Sequence, residues 1–137
     1  MKIPEEIIFL ICEEQVRQRG NFVPNDEGYL QKLSDKAECI SHYSPDGISG
    51  FVFFYCNEEE KFSSYISLLM VAHKSRKNGI GAALVRCVLT LTKQRGFNRC
   101  CLEVRKENSA AIKLYESMSF RTIEDRGEKY LMEAPAG

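Results

Sequence analysis

The sequence has no net charge, no long hydrophobic run and no leader-like start, and each absence argues against a class of function. Its 19 Lys and Arg residues balance 19 Asp and Glu residues, so composition gives no reason to expect nucleic acid or an anionic membrane as partner. No apolar run is long enough to cross a bilayer. Glutamates flank the apolar stretch 7–12, where a signal peptide would carry basic and then small residues, and we therefore expect no export.

Metal-binding spacing is also missing. Only His42 and His73 occur, and no two cysteines form a C-x-x-C pair, so the sequence predicts no metal site. Most of the cysteines lie inside apolar runs, which predicts buried, reduced thiols and a cytoplasmic location. The six cysteines are Cys12, Cys39, Cys56, Cys87, Cys100 and Cys101.

Length and hydrophobic periodicity predict one α/β domain over residues 1–137, with the element order ααβββαβαββ and a mixed, mostly antiparallel sheet flanked by helices. No internal repeat or linker interrupts it. The first helix carries an apolar pattern made of Ile7, Ile8, Ile11, Cys12 and Val16. Helices are predicted over about 4–19, 26–36, 79–95 and 109–118, and strands over 37–43, 50–56, 64–71, 99–105, 120–124 and 129–133. Turns are predicted at 21–25, 44–47 and 57–61, and the three glutamates of the last are interpreted as a solvated hairpin tip.

The residues that organise the chain form a glycine-rich loop, Arg76-x-x-Gly79-x-Gly81, between a β-rich run and the longest predicted helix. The first turn of a helix has unpaired N–H donors and a partial positive charge. Glycine lets a bulky anion approach these donors because it has no Cβ. The loop therefore predicts a phosphate or pyrophosphate site, to which Arg76 and Lys77 add charge.

Two common phosphate motifs do not fit this loop. A P-loop requires a Lys-Ser/Thr pair after its second glycine, and a dinucleotide fingerprint requires a third glycine inside a βαβ unit. Instead, residues 71–81 resemble the coenzyme A loop of the GCN5-related N-acetyltransferases, in which a strand ending in Val precedes Arg/Gln-x-x-Gly-x-Gly/Ala. A glycine-rich turn that simply starts a helix is the alternative interpretation.

A second stretch strengthens the resemblance. A strand ending at Arg105 is followed by Asn108, by a helix carrying Leu114-Tyr115, and by Phe120, as in the acetyltransferase pattern. The resemblance is strong from about residue 65 to 120 and weaker over 22–64. The chain departs from the family in starting with a helix, which implies a shortened N-terminus, and in having Ser119 where the family prefers Gly.

The resemblance implies acetyl-CoA as cofactor and assigns roles to individual residues. Tyr115 would be the general acid that protonates the leaving thiolate, although its helical spacing is equally that of a core tyrosine. Glu103 would hold a water that deprotonates the amine, or would be a solvated or paired strand residue. Asn108 is a helix N-cap by type, with or without a cofactor contact. The cofactor-binding residues implied by the resemblance are Leu69, Met70, Val71, Arg76, Lys77, Asn78, Gly79, Ile80, Gly81, Ala82, Asn108 and Tyr115.

The third predicted strand bears on which group removes the proton from the acceptor amine. The family places a backbone donor for the thioester carbonyl near its end, here within 69–71. Many members also place a glutamate on this strand, whereas this chain has no carboxylate there. Proton removal would then fall to Glu103, to His73, to an acidic group of the first half, or to water.

The resemblance thus implies an N-acetyltransferase that moves an acetyl group from acetyl-CoA to a primary amine of a small molecule by direct attack in a ternary complex. A peptide amine is the other acceptor considered, with no nucleic acid or membrane partner, and the protein is expected to be a monomer or homodimer. The alternative function is a non-catalytic acyl-CoA-binding or sensing domain of the same fold.

Overall fold

A computed structural model describes residues 2–24, 27–56 and 62–136. Its elements follow the predicted order, with one short 3₁₀ turn, His73–Ser75, added before the long helix. The helices are α1 (Glu5–Arg17), α2 (Glu27–Lys36), α3 (Ile80–Gln94) and α4 (Ser109–Ser117), and the strands are β1 (Glu38–Ser44), β2 (Gly47–Tyr55), β3 (Ser63–Val71), β4 (Arg99–Arg105), β5 (Arg121–Asp125) and β6 (Lys129–Pro135). The predicted turn at 57–61 lies outside the described residues, as does the end of the turn at 21–25.

The strands form one mixed sheet in the order β1-β2-β3-β4-β6-β5, which confirms the predicted fold class. Of the described pairs, only β3 and β4 run parallel. Strand β2 begins three residues before the predicted position, because the tight turn at 45–46 lets pairing start at once between Ser44 and Gly47. In the described part of the chain, no helix combines the length and apolarity needed to cross a bilayer.

Two hydrophobic cores cover the two faces of the sheet. Strand β2 is buried on both faces, so Val52 and Phe54 enter the core beneath α3 and α4, while Phe51 and Phe53 enter the core beneath α1 and α2. This double burial is what a near-continuous apolar run in a central strand predicts.

A bulge at Ser67 changes which face β3 presents to each core. The register with β2 passes from Phe53↔Leu68 to Phe54↔Ile66, so Ser67 is the extra residue. Ile66 therefore packs into the α3 core, whereas Leu68 packs into the α1 core. A one-residue insertion reverses side-chain alternation, and beyond it Leu69 and Val71 face α3.

Helix α1 divides its predicted apolar pattern between two faces. Of its five predicted apolar residues, only Ile7 and Ile11 are buried, and Val16 is 80% exposed. The pattern is two separate stripes on opposite faces, because 100° per residue places Cys12 and Val16 far from Ile7.

The prediction of buried thiols was likewise wrong for two cysteines. Cys12 and Cys87 are exposed on helix surfaces, while Cys56 and Cys100 are buried and the other two are half-buried. All six are free thiols.

Candidate active site

The two parallel strands separate and leave a gap in the sheet. Strands β3 and β4 pair only from Ser63↔Arg99 to Ile66↔Leu102, after which no register pair joins them in the described structure. The pairing stops where the Ser67 bulge bends β3, and bulges are known to end a ladder in this way.

Strand β3 presents free backbone donors to this gap. The N–H of Ala72 donates to Ser49 O on the β2 side at 2.8 Å. Because successive N–H groups in a strand point to opposite edges, those of Leu69 and Val71 point toward the gap. They match the predicted donor region, and the N–H of Met70 points to β2 instead.

The glycine-rich loop ends in the N-terminus of α3, which also has unpaired donors. Gly79 is the N-cap in a left-handed conformation (φ 76°), and no side chain caps the helix. No acidic residue occupies the first turn, so the N–H groups of Ile80, Gly81 and Ala82 are free for an anion. A Cβ at Gly81 would lie 3.3 Å from Leu114 Cδ2 and 3.7 Å from Val71 Cγ2, so a larger side chain would fill this space.

A cleft of about 880 Å³ joins the gap to the loop. Residues from β3, the loop, α3, α4 and the end of α1 line it, including Leu69, Val71, Arg76, Lys77, Gly79, Ile80, Gly81, Ala82, Asn108 and Tyr115. Ten of the predicted cofactor residues are therefore brought together. Met70 and Asn78 are not among the lining residues: Met70 is buried in the α1 core, and Asn78 is exposed on the loop surface.

The two basic residues of the loop differ in environment. The guanidinium of Arg76 donates to Val71 O at 3.1 Å and to Glu14 Oε1 at 3.0 Å. Lys77 is exposed, adopts a left-handed backbone (φ 70°) and has no ion-pair partner in the described structure. Lys77 thus brings unpaired charge to the cleft, whereas Arg76 is paired with Glu14, a carboxylate that it shares with Arg17.

Glu14 is a buried carboxylate at the edge of this cleft, with 2% of its surface exposed. Burial raises its pKa, but hydrogen bonds from Gln18 and Arg17, together with the charge of Arg76, lower the pKa of Glu14 below its usual value overall. Glu14 is not among the site residues that the sequence predicted. The available signal was its spacing, since residues 7, 11 and 14 share one helical face.

Tyr115 lies where the cleft meets the gap. Its side chain is 7% exposed, and its ring packs against Phe120 with centroids 5.7 Å apart. Its hydroxyl has no hydrogen-bond partner within the described ranges. Burial, with a smaller effect of Cys100, raises the pKa of Tyr115 to about 12, so the hydroxyl stays protonated at neutral pH.

The Tyr115–Phe120 contact belongs to the end of α4. The N–H of Phe120 donates to Tyr115 O at 3.0 Å, and that of Ser119 donates to Glu116 O at 3.1 Å. This is a Schellman motif with its usual hydrophobic contact. Ser119 occupies its left-handed position (φ 72°).

A second, smaller cleft of about 290 Å³ lies on the other side of Tyr115. Tyr29, Tyr65, Ser67 and Glu103 line it. The Tyr65 hydroxyl donates to Glu103 Oε1 at 3.4 Å, and burial followed by the Glu103 charge raises the pKa of Tyr65 well above its usual range.

Glu103 also has a cationic partner, because Arg126 Nη1 lies 3.2 Å from Glu103 Oε2. The carboxylate is thus a paired strand residue that nevertheless faces a cleft beside Tyr115. His73, which the sequence analysis also considered as a base, lies in neither cleft and lines a separate groove beneath α1.

The turn after α1 supplies further lining that the sequence analysis did not identify. Gln18, Asn21 and Phe22 border both clefts. Gln15 fixes this turn, since its Oε1 accepts from the N–H groups of Phe22 and Val23, each at 2.9 Å. No local sequence motif marks this contact.

Asn108 caps α4, as predicted, with its Oδ1 accepting from Ala111 N at 3.2 Å. Among the described residues, no group of three or more His, Cys, Asp or Glu side chains could hold a metal ion.

Comparison with known proteins gives consistent matches. The model of the family described as "Acetyltransferase (GNAT) family" matches residues 8–120. A probable N-acetyltransferase, camello, from Xenopus laevis is 39% identical over 64 residues, which cover 47% of this chain and 28% of that protein. N-alpha-acetyltransferase 30 of Saccharomyces cerevisiae is 33% identical over 76 residues, covering 56% and 43% respectively. The matched stretches thus span less than half of each of these relatives.

Solved structures match over nearly the whole chain. A protein from Pyrococcus horikoshii OT3 superposes with a TM-score of 0.79 and 22% identity, covering 98% of this chain and 94% of that one. The PaiA N-acetyltransferase of Thermoplasma acidophilum, solved in complex with coenzyme A, gives 0.67 and 17%, covering 97% and 80%. At these identities the likeness shows the fold.

Proposed function

The chain belongs to the acetyltransferase (GNAT) family, whose cofactor is acetyl-CoA, and from this premise we propose that it acetylates a primary amine by direct attack in a ternary complex. The observation that carries the proposal is the single cleft that joins free donors at the α3 N-terminus to the β3–β4 gap and to Tyr115. When bound, acetyl-CoA supplies a thioester whose carbonyl carbon can accept an uncharged amine.

The described residues fit this cofactor. The N–H groups at the start of α3 bind the pyrophosphate, Lys77 adds charge, and Gly81 leaves room for the phosphate oxygens. The gap beside Leu69 and Val71 would hold the extended arm of the cofactor, where the free N–H groups of β3 would be available as donors.

Tyr115 and the free N–H groups of β3 perform the chemistry at the carbonyl. The N–H of Leu69 or Val71 stabilises the negative charge that develops on the oxygen. The Tyr115 hydroxyl then donates its proton to the departing thiolate sulfur. Its lack of a competing hydrogen-bond partner leaves that proton available.

The amine enters from the second cleft. Glu103 is the carboxylate that faces this cleft, and it accepts the amine proton directly or through one water. A volume of about 290 Å³ suits a small amine. A peptide α-amine is the second candidate, favoured by the partial match to N-alpha-acetyltransferase 30.

The test is a turnover assay with acetyl-CoA and a panel of amino sugars, polyamines, amino acids and short peptides, read by coenzyme A thiol release and product mass. We expect turnover of at least one small amine. Turnover of peptides alone would reassign the acceptor. Tight coenzyme A binding with no turnover of any amine would instead support an acyl-CoA-binding or sensing domain.

A further inference from the structure

The outer face of α1 carries a second stripe that the two clefts do not use. Glu5, Phe9, Cys12, Val16 and Arg19, here called the outer stripe, are all exposed, Phe9 by 63% and Val16 by 80%. The four that lie in α1 recur at intervals of four, three and four residues, the spacing of a seam between two helices. Arg19 lies in the turn that ends α1.

The outer stripe is complementary in chemistry to the same stripe of a second copy that runs in the opposite direction. Read from either end, a charged residue is followed by an apolar residue, a central cysteine, an apolar residue and a charge of the opposite sign. An antiparallel second copy with Cys12 opposite Cys12 would also place Glu5 opposite Arg19, and Phe9 would lie within one residue of the level of Val16. The same α1 bears acidic residues in its first turn and a basic residue in its last, so antiparallel pairing also brings opposite charges together.

We propose that two copies of this chain associate through the outer stripe, with α1 packed antiparallel to α1 about a two-fold axis at Cys12. Such an isologous contact is the commonest form of homodimer.

The proposed dimer contact lies on the side of α1 that faces away from the clefts. Glu14 and Gln18, which border the main cleft, lie on the inner side of α1, opposite Cys12 and Val16. The dimer therefore covers neither cleft. A contact between single helices is smaller than the roughly 800 Å² per partner of a standard interface, so we expect reversible, concentration-dependent association.

Sedimentation velocity over a concentration series tests the proposal on the full chain. Val16→Glu should weaken dimerisation at least tenfold because it places a carboxylate in the seam. Ile123→Glu, which changes another exposed apolar residue on β5, is the matched control and should leave the dimer intact. A wild type that stays monomeric up to about 1 mM, the concentration of a −4 kcal/mol association, would overturn the proposal.

Charge reversal tests the antiparallel register without changing the apolar residues. Glu5→Arg and Arg19→Glu should each weaken the dimer, and the double variant should restore it, because Glu5 faces Arg19 of the other copy. Failure of the double variant to restore association would reject this register.

Cross-linking tests the two-fold axis. Diamide takes up two electrons and two protons as two thiols become a disulfide, and at dimerising concentrations it should give a covalent dimer through Cys12. Cys12→Ser should abolish that dimer, whereas Cys87→Ser, which removes the other exposed thiol, should not. Reaction through Cys87 alone would place the contact elsewhere and contradict the proposal, as would dimerisation unaffected by Val16→Glu.

Discussion

Glu14 on α1 and Arg76 in the glycine-rich loop form an ion pair, with Arg76 Nη2 3.0 Å from Glu14 Oε1. The two residues are 62 positions apart, and their contact joins the first helix to the start of α3. Arg76 also donates to Val71 O at 3.1 Å, so one guanidinium links the helix, the end of β3 and the loop. We expect this link to hold the loop in its anion-binding form.

Glu14→Gln tests that link. The variant leaves Arg76 without a counter-charge and should lower the free energy of unfolding by about 1–3 kcal/mol at neutral pH. It should also weaken coenzyme A binding if the loop loosens. Denaturant unfolding and calorimetry measure the two effects. Glu13→Gln, on the exposed side of α1, is the control and should change neither.

The stability loss in Glu14→Gln should depend on pH in a defined direction. The pKa of Glu14 is lowered in the folded protein, so its ionised form stabilises the fold above the unfolded pKa of about 4.3. That contribution is lost as pH falls through the lower, folded pKa. Wild type and variant should therefore differ in stability at pH 7 and converge in strong acid; a difference that grows toward acid would contradict this assignment.

Gly81→Val tests the phosphate site. Its Cβ would come within 3.3 Å of Leu114, a contact that a small shift of that side chain relieves, and its methyl groups would occupy the space near the free donors. Coenzyme A affinity should fall at least tenfold, about 1.4 kcal/mol, by calorimetry. Ala83→Val, in the same helix but outside the cleft lining, carries the same β-branch and should bind normally.

Tyr115→Phe tests the general acid. The hydroxyl has no hydrogen-bond partner in the described structure, so its removal breaks no internal bond, and the ring keeps its packing against Phe120. We expect the acyl-transfer rate to fall by about 10²–10⁴, with coenzyme A affinity and thermal stability nearly unchanged. Tyr43→Phe, at an exposed tyrosine of β1, should be fully active. A wild-type rate for Tyr115→Phe, where chemistry is rate-limiting, would leave Tyr115 a core residue.

Glu103→Gln tests the base. The amide keeps the size of the side chain, but it has only one acceptor oxygen, so it can accept from Tyr65 or from Arg126 and not from both. It also cannot take a proton from the amine. We expect kcat to fall by about 10²-fold or more with little change in coenzyme A affinity. Glu124→Gln removes the other carboxylate paired with Arg126 and should retain activity. Equal activity of both variants would transfer proton removal to another group or to water.

Ser119→Gly tests the strain at the end of α4. Ser119 has φ 72°, a conformation that costs a residue with a Cβ roughly 1 kcal/mol relative to glycine. The variant should be more stable by up to that amount, raising Tm by roughly 3–4 °C. Ser117→Gly, at the last helical residue of α4, should instead destabilise the protein, since glycine is less favourable than serine in a helical conformation.

The sequence by itself determined the features that depend on local chemistry. Alternating and helical hydrophobic spacing predicted the element order, and two glycines after a basic residue predicted free donors at the start of α3. Asn108 predicted the cap of α4 because its side chain bonds a backbone group only three residues away. The family pattern also identified Tyr115 and the nine other predicted residues that line the main cleft, since these positions lie within short, ordered motifs.

Only the tertiary structure decided what depends on contacts between distant segments. The ion pair of Glu14 with Arg76 and the fixing of Phe22 by Gln15 have no local signal, because folding alone brings the partners together. The bulge at Ser67 shows only when β2 is paired with β3. The burial of the apolar residues of α1 was decided in the same way. They divide into a buried and an exposed face according to what packs against the helix, and periodicity alone does not show which face that is.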